Sequence, residues 1–149
     1  MAVAEPKMEK LAVTVNNGLI VEELVEAGSY GTVNSNITSQ NFTTARTGEH
    51  QLEAVLVHFD RTISSEDALA ELDWLGLRAG ELHELLALGA QHPDKQKKFP
   101  VVALGSERDP YGDRYVPYLD DWDGKRGLDL YGFDDDWDEN DRFLAFFRK

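Results

Sequence analysis

The chain contains no cysteine among its 149 residues. This absence excludes disulfides, zinc–thiolate and iron–sulfur sites, and a cysteine nucleophile. The chain also lacks any apolar run close to the roughly 20 residues that a membrane-spanning helix needs, and its first ten residues have no apolar core of the signal-peptide type. We therefore expect no membrane span, and a soluble, cytoplasmic protein is the default expectation.

Basic residues are scarce: 15 Lys and Arg stand against 28 Asp and Glu, which gives a formal net charge of −13. Such a chain repels a phosphate backbone, so we expect no direct nucleic-acid binding. The exception is a protein that imitates nucleic acid and so occupies a nucleic-acid-binding partner. Hydrophobic residues make up 42% of the chain, which is enough for a core in one domain with a small extension.

The N-terminal segment contains an Asn-Gly step at residues 16–18, between two apolar runs. Such a step between β-branched segments predicts a β-hairpin over residues 11–25. The polar stretch that follows is typical of a long loop. We therefore predict that residues 1–50 form an N-terminal β extension and a linker.

The middle of the chain predicts two strands and two helices. Residues 52–59 form a continuous apolar run that indicates a buried strand. Ser64 can cap a helix, which Gly76 ends. A second helix is predicted over residues 80–91, and a second buried strand over residues 99–104.

The last third of the chain alternates short apolar pieces with acidic, glycine-bearing loops. The apolar pieces are residues 115–119, 128–130 and 142–147. This pattern predicts an antiparallel meander with long connections. Strand, two helices and then several strands define an α+β fold, and residues 51–149 are predicted as its main domain.

Templates for metal and catalytic chemistry do not fit. His83 begins a zinc-protease helix signature, but Ala87 stands where the second His is needed. We therefore interpret His83 as a surface residue. An EF-hand that starts at Asp134 has Glu139 in place of its glycine, although a looser calcium site stays open. No phosphate loop or serine elbow occurs, so we expect no enzymatic activity, no cofactor and no metal site.

Two tryptophans, Trp122 and Trp137, are each flanked by aspartates. Mixed aromatic and acidic surfaces can bind sugars by ring stacking and hydrogen bonds, which keeps a carbohydrate-binding module among the alternatives. We favour the interpretation that both rings pack under the loops as anchors.

Two segments carry a resemblance to a known family. Residues 76–78 read Gly-Leu-Arg before the second predicted helix, and the chain closes on Arg-Phe-Leu-Ala-Phe-Phe-Arg at residues 142–148. Together with the intervening pattern, they resemble the variable proteins of diversity-generating retroelements. The resemblance implies a C-type-lectin-like domain with two helices and an antiparallel meander, and a variable region at about residues 107–142.

In that family an error-prone reverse transcriptase replaces template adenines, usually in Asn codons. Randomising both adenines of such a codon permits Asp, Gly, Tyr, Asn and Phe but forbids Trp, Lys and Glu. Trp122 and Trp137 therefore belong to the predicted scaffold. The candidate variable, ligand-binding residues are Asp120, Asp121, Gly124, Gly127, Asp129, Tyr131, Gly132, Phe133, Asp134, Asp135, Asp138, Asn140 and Asp141.

The resemblance implies a receptor that binds a ligand, most simply a protein, through a diversified C-terminal surface. Alternation along a strand allows Leu128 and Leu130 to point inward while Gly127, Asp129 and Tyr131 point outward. Tyr, Asp, Asn and Gly are also residues that antibody binding sites use. Two alternatives remain open: an acidic inhibitor that imitates nucleic acid, and a carbohydrate-binding module.

Overall fold

A computed structural model describes residues 5–106 and 114–148. The helices are α1 Val21–Gly28, α2 Ser65–Trp74, α3 Leu82–Gln91 and α4 Lys95–Lys98. The strands are β1 Lys7–Asn16, β2 Thr32–Val33, β3 Glu49–His58, β4 Ile63–Ser64, β5 Leu77–Ala79, β6 Val101–Val102, β7 Tyr115–Trp122, β8 Lys125–Gly132, β9 Asp136–Trp137 and β10 Arg142–Phe147. The first seven residues of the predicted variable region, 107–113, lie outside the described residues.

One eight-stranded sheet dominates the fold, in the order β1-β3-β10-β6-β7-β8-β2, and β5 also pairs with β10. The last strand, β10, is antiparallel to β3 and parallel to β6, so the sheet is mixed. The predicted α+β class is confirmed. The predicted antiparallel meander is only partly present, because β7 and β8 form a hairpin but β9 leaves to pair with β4.

The position of β10 follows from its composition. Phe143, Leu144 and Ala145 are consecutive and all at most 1% exposed. A strand that is apolar on both faces is stable only where both faces are covered. It therefore lies in the interior of the sheet and not at the end of a meander.

Each face of the sheet has its own core. Leu56 and Leu144 pack with the apolar residues of α1 and α3 on the first face. Val57 and Phe143 point the opposite way and pack with α2 and with Trp137 of β9. Because successive strand residues alternate between faces, neighbouring residues of β3 and β10 supply the two cores.

The predicted N-terminal hairpin is wrong. Strand β1 pairs instead with β3 along its whole length, from Lys7 opposite His58 to Asn16 opposite Glu49. The second half of the predicted hairpin forms α1. Its buried residues Val21 and Leu24 have the three-residue spacing of a helix face, so the segment contributes a helix to the first core and is not a purely β extension.

The two predicted helices of the middle segment are confirmed. The Ser64 hydroxyl accepts a hydrogen bond from the backbone N–H of Asp67 at 3.1 Å, which caps α2, and Gly76 follows with a left-handed φ of +78°. Helix α3 is buried on nearly all sides, because it lies between the sheet and α1. The prediction that His83 is a surface residue is therefore wrong: it is 6% exposed, and burial lowers its pKa.

No helix in the described part of the chain is long and apolar enough to cross a membrane.

Candidate ligand-binding cleft

The β7–β8 hairpin positions the candidate site. Its two-residue turn is Asp123-Gly124, and both residues have positive φ, 53° and 82°, as a type I′ turn requires. The Asp121 carboxylate accepts a hydrogen bond from the Gly124 N–H at 3.0 Å and stabilises the turn. Asp121 and Gly124, both predicted to be variable, thus help to shape the hairpin.

Burial falls along one face of β7 toward this turn. Val116 is fully buried, Tyr118 and Asp120 are intermediate, and Trp122 is 78% exposed. The prediction that Trp122 is a buried anchor is therefore wrong: it lies at the tip of the hairpin, beyond the part of the face that α2 and β9 cover.

Trp137 behaves as the predicted anchor. It is 3% exposed, lies in β9 opposite Ile63 of β4, and donates a hydrogen bond from Nε1 to the Ser65 hydroxyl at 2.8 Å. Burial of an indole N–H is favourable only with such an acceptor. This contact fixes the ring at the boundary between the covered and open parts of the sheet face.

A cleft of about 370 Å³ opens at this boundary. Its size lies within the range of small-molecule sites. Three aromatic and four acidic side chains line it together with a threonine and a proline: Tyr118, Tyr131, Trp137, Asp120, Asp136, Asp138, Asp141, Thr62 and Pro100.

The three aromatic rings form one connected group. The Tyr118 and Tyr131 rings are 6.3 Å apart between centroids and meet at 82°. Trp137 lies 6.3 Å from Tyr118 and 4.7 Å from Tyr131. The Tyr131 hydroxyl also donates to the Asp136 carbonyl at 3.3 Å, so the ring is held at its tip as well as at its face.

Asp120 is a partly buried carboxylate of the cleft that the chain itself leaves unpaired. Among the described residues, none forms a hydrogen bond or an ion pair with the Asp120 carboxylate. The residue opposite it on β8 is Gly127, which supplies no side chain. Burial, followed by the charges of Asp129 and Asp121, raises the pKa of Asp120.

The same acidic environment acts on Tyr118. Burial, followed by the charges of Asp129, Asp120 and Asp141, raises its pKa to about 12. Several carboxylates therefore converge on one ring.

Asp129 and Asp141 are held more firmly than Asp120. One oxygen of Asp129 accepts from the Asn34 amide and from the Leu130 N–H, both at 2.8 Å. Asp141 accepts from the Asp138 N–H at 2.9 Å, and burial raises its pKa despite this bond. Both side chains thus stabilise backbone near the cleft.

A second, smaller hollow of about 300 Å³ adjoins the cleft. Asp120 lines both concavities, and Trp122, Lys125 and Asp129 line the hollow. The cleft and the hollow therefore form one continuous face along the hairpin, which we call the hairpin face.

Other predicted variable residues lie away from this face or are confined by packing. Phe133 is 5% exposed, under the Arg114 guanidinium at 4.0 Å from its ring. A Cβ on Gly127 would come within 2.4 Å of an Asp120 oxygen, and one on Gly132 within 2.5 Å of Asp135.

Two further predicted residues are exposed and hydrogen-bond to the chain itself. Asp134 pairs with Arg114 at 2.7 Å, and Asn140 accepts from Arg142 through its carbonyl and its side-chain oxygen. Both lie outside the lining of the cleft and of the hollow.

A group of polar side chains that was not predicted from the sequence supports the hairpin face. Arg126 donates to the carbonyls of Gly28 and Gly89, both at 2.6 Å, and to the Gln96 amide oxygen at 3.0 Å. Gln96, 2% exposed, donates in turn to the carbonyls of Asp120 and Gly127. We call this group the Arg126–Gln96 clamp. Only its long-range partners reveal its role, so no local pattern indicates it.

Within residues 5–106 and 114–148, no three His, Asp or Glu side chains lie close enough together to hold a metal ion.

Comparison of the chain with protein-family models, with curated proteins and with solved structures gives no match.

Proposed function

We propose that the chain is a binding protein that holds a protein ligand on the hairpin face, and that a diversity-generating retroelement varies the exposed residues of this face. One observation carries the proposal. Asp120, Tyr131, Asp138 and Asp141, all predicted to be variable from the codon pattern, line one cleft, and Asp129 lines the adjoining hollow.

The scaffold around the face supports this proposal. A surface that tolerates many substitutions needs its stability to come from elsewhere. The closing strand β10 is buried between β3 and β6, and the Arg126–Gln96 clamp fixes the hairpin from below. The proposal includes a C-type-lectin-like fold, for which the buried closing strand and the glycine turn before α3 are the supporting features.

Binding suits these side chains better than catalysis. Asp138 and Asp141 are already engaged in their own turn, and Tyr131 is packed on Trp137. Rigid aromatic area beside adaptable polar groups is the composition of antibody-like binding surfaces.

A displayed library tests the proposal. Asp120, Tyr131 and Asp138, which line the cleft, are randomised together in the full chain and selected against a purified model protein such as lysozyme. A matched control library randomises three exposed residues of α2: Glu66, Ala70 and Asp73.

We expect most members of the hairpin-face library to keep a cooperative melt and to yield specific binders more often than the α2 library. Equal yields from the two libraries would overturn the proposal, as would loss of folding in most hairpin-face members. The acidic-inhibitor alternative predicts a different result: binders retained only when the acidic charge is kept, with affinity that falls steeply with salt.

A further inference from the structure

We propose that the cleft anchors its ligand through an organic ammonium group, such as the end of a lysine side chain. This inference rests on the proposed function and adds the chemical class of the anchoring group. Three features together point to this class: the cleft itself, the ring group of Tyr118, Tyr131 and Trp137, which we call the aromatic corner, and the unpaired Asp120 carboxylate.

The aromatic corner supplies the first part of the recognition. The planes of Tyr118 and Tyr131 meet nearly at right angles, at 82°, and Trp137 closes the group at 71° to Tyr118. Aromatic rings attract cations within about 6 Å of their centroids, and clusters of such rings are the usual receptors for substituted ammonium groups. Because Trp137 is anchored to Ser65, the corner is formed before a ligand arrives.

The charge around the corner supplies the second part. Among the described residues, the lining includes Asp120, Asp136, Asp138 and Asp141 but no basic residue. The Asp120 carboxylate has no cationic or hydrogen-bonding partner within the described ranges, and Gly127 opposite it leaves it uncovered from β8. A cation would offset repulsion that the side chains of the cleft leave uncompensated.

Of the described cationic side chains, Arg142 acts electrostatically on Asp141 of the lining, but none acts on Asp120. The Arg142 guanidinium stacks over Phe99 at 4.1 Å and donates to Asn140. Lys125 lines the adjoining hollow and not the cleft. An external cation is thus the natural counter-charge for Asp120.

A matched pair of small probes tests the inference on the full chain. Choline carries a trimethylammonium group, and 3,3-dimethylbutan-1-ol is its neutral isostere with a tert-butyl group in the same place. Each is titrated at constant ionic strength, and the indole N–H signals are followed by NMR. Trp137 reports on the cleft, while exposed Trp74 in α2 serves as the internal control.

We expect choline to shift the Trp137 signal with saturation in the millimolar range, corresponding to roughly −4 kcal/mol. Binding of the neutral isostere should be at least about fivefold weaker. Asp120→Asn and Tyr118→Leu should each weaken choline binding several-fold. Asp135→Asn, which changes an exposed acid outside the cleft lining, should not.

Two results would overturn the inference. Equal binding of both probes would show an apolar site with no preference for charge, and no shift of Trp137 with choline would show that the cleft does not take an ammonium group. Both results leave the library experiment unaffected, since binders on the hairpin face do not depend on choline. Failure of the library with success of choline would instead remove the protein-receptor proposal and keep the cation site.

Discussion

The Arg126–Gln96 clamp leads to a prediction about stability: Arg126 lies within the predicted variable segment, but we expect it to be needed for the stability of the fold. Arg126→Met keeps the apolar stem and removes the guanidinium. The change leaves the carbonyls of Gly28 and Gly89 and the Gln96 amide oxygen without the donor they now share. It also removes the cation–π contact of the guanidinium with Tyr30, at 4.8 Å.

The magnitude follows from the number and type of these contacts. Hydrogen bonds from a charged donor contribute roughly 1.5–3 kcal/mol each and are not additive. Part of this gain is already offset, because the Arg126 Nε is buried with no partner among the described residues. We therefore expect a net loss of about 3 kcal/mol in the free energy of unfolding. For a chain of this size, that loss lowers Tm by roughly 6–12 °C.

Thermal and urea unfolding followed by circular dichroism measure the effect. Lys125→Met is the matched control, since Lys125 precedes Arg126 on the same strand and is exposed. It should change the free energy of unfolding by less than about 0.5 kcal/mol. Equal Tm shifts for the two variants would refute the role assigned to the clamp.

Three further predictions concern the β7–β8 hairpin and the residues next to it. Phe133→Asn should destabilise the protein by about 3 kcal/mol, because it empties a buried site, whereas Tyr131→Asn at an exposed position should cost less than about 1 kcal/mol in the same urea titration; the reverse order would contradict the burial assigned to the two rings. Gly124→Ala should cost about 1 kcal/mol in Tm-derived stability, because its φ of +82° suits glycine and strains alanine, and an unchanged Tm would argue against the type I′ turn. Asp120→Asn should stabilise the protein by roughly 0.5 kcal/mol at neutral pH after allowance for solvent screening. The raised pKa of Asp120 means that its ionised form opposes folding above the folded-state pKa, so this advantage should disappear as pH falls through that pKa toward the ordinary value; an advantage that grows on acidification would have the wrong sign.

Local patterns in the sequence were sufficient for the elements whose signals are local. The cap at Ser64, the stop at Gly76 and the apolar run of β3 each depend on residues within a few positions, and all occur as predicted. The α+β class follows from the order of such elements. The first half of the chain shows the limit of such patterns. The β-branched residues of the segment that forms α1 are typical of a strand, but the segment is a helix that buries Val21 and Leu24, three positions apart, in the core.

The order of the strands in the sheet could not be predicted from local sequence patterns. Pairing of β10 with β3 and β6 joins residues far apart in the chain, and the choice depends on which strands can be buried on both faces. The same holds for Arg126, whose partners lie on α1, α3 and α4. The sequence therefore predicted which residues belong to the candidate site. Which of them line the cleft, form the turn or support the hairpin depends on long-range contacts.

The two Asp-Trp-Asp tripeptides show this division most directly. Trp122 and Trp137 have identical neighbours in the sequence. By itself the sequence determined an acidic, cysteine-free α+β chain with an aromatic and acidic C-terminal third. Only the tertiary structure decided that Trp137 is 3% exposed and Trp122 is 78% exposed. The physical reason is that burial depends on which elements pack over a position, and β4 with Ser65 covers Trp137, whereas Trp122 stands at the tip of a hairpin.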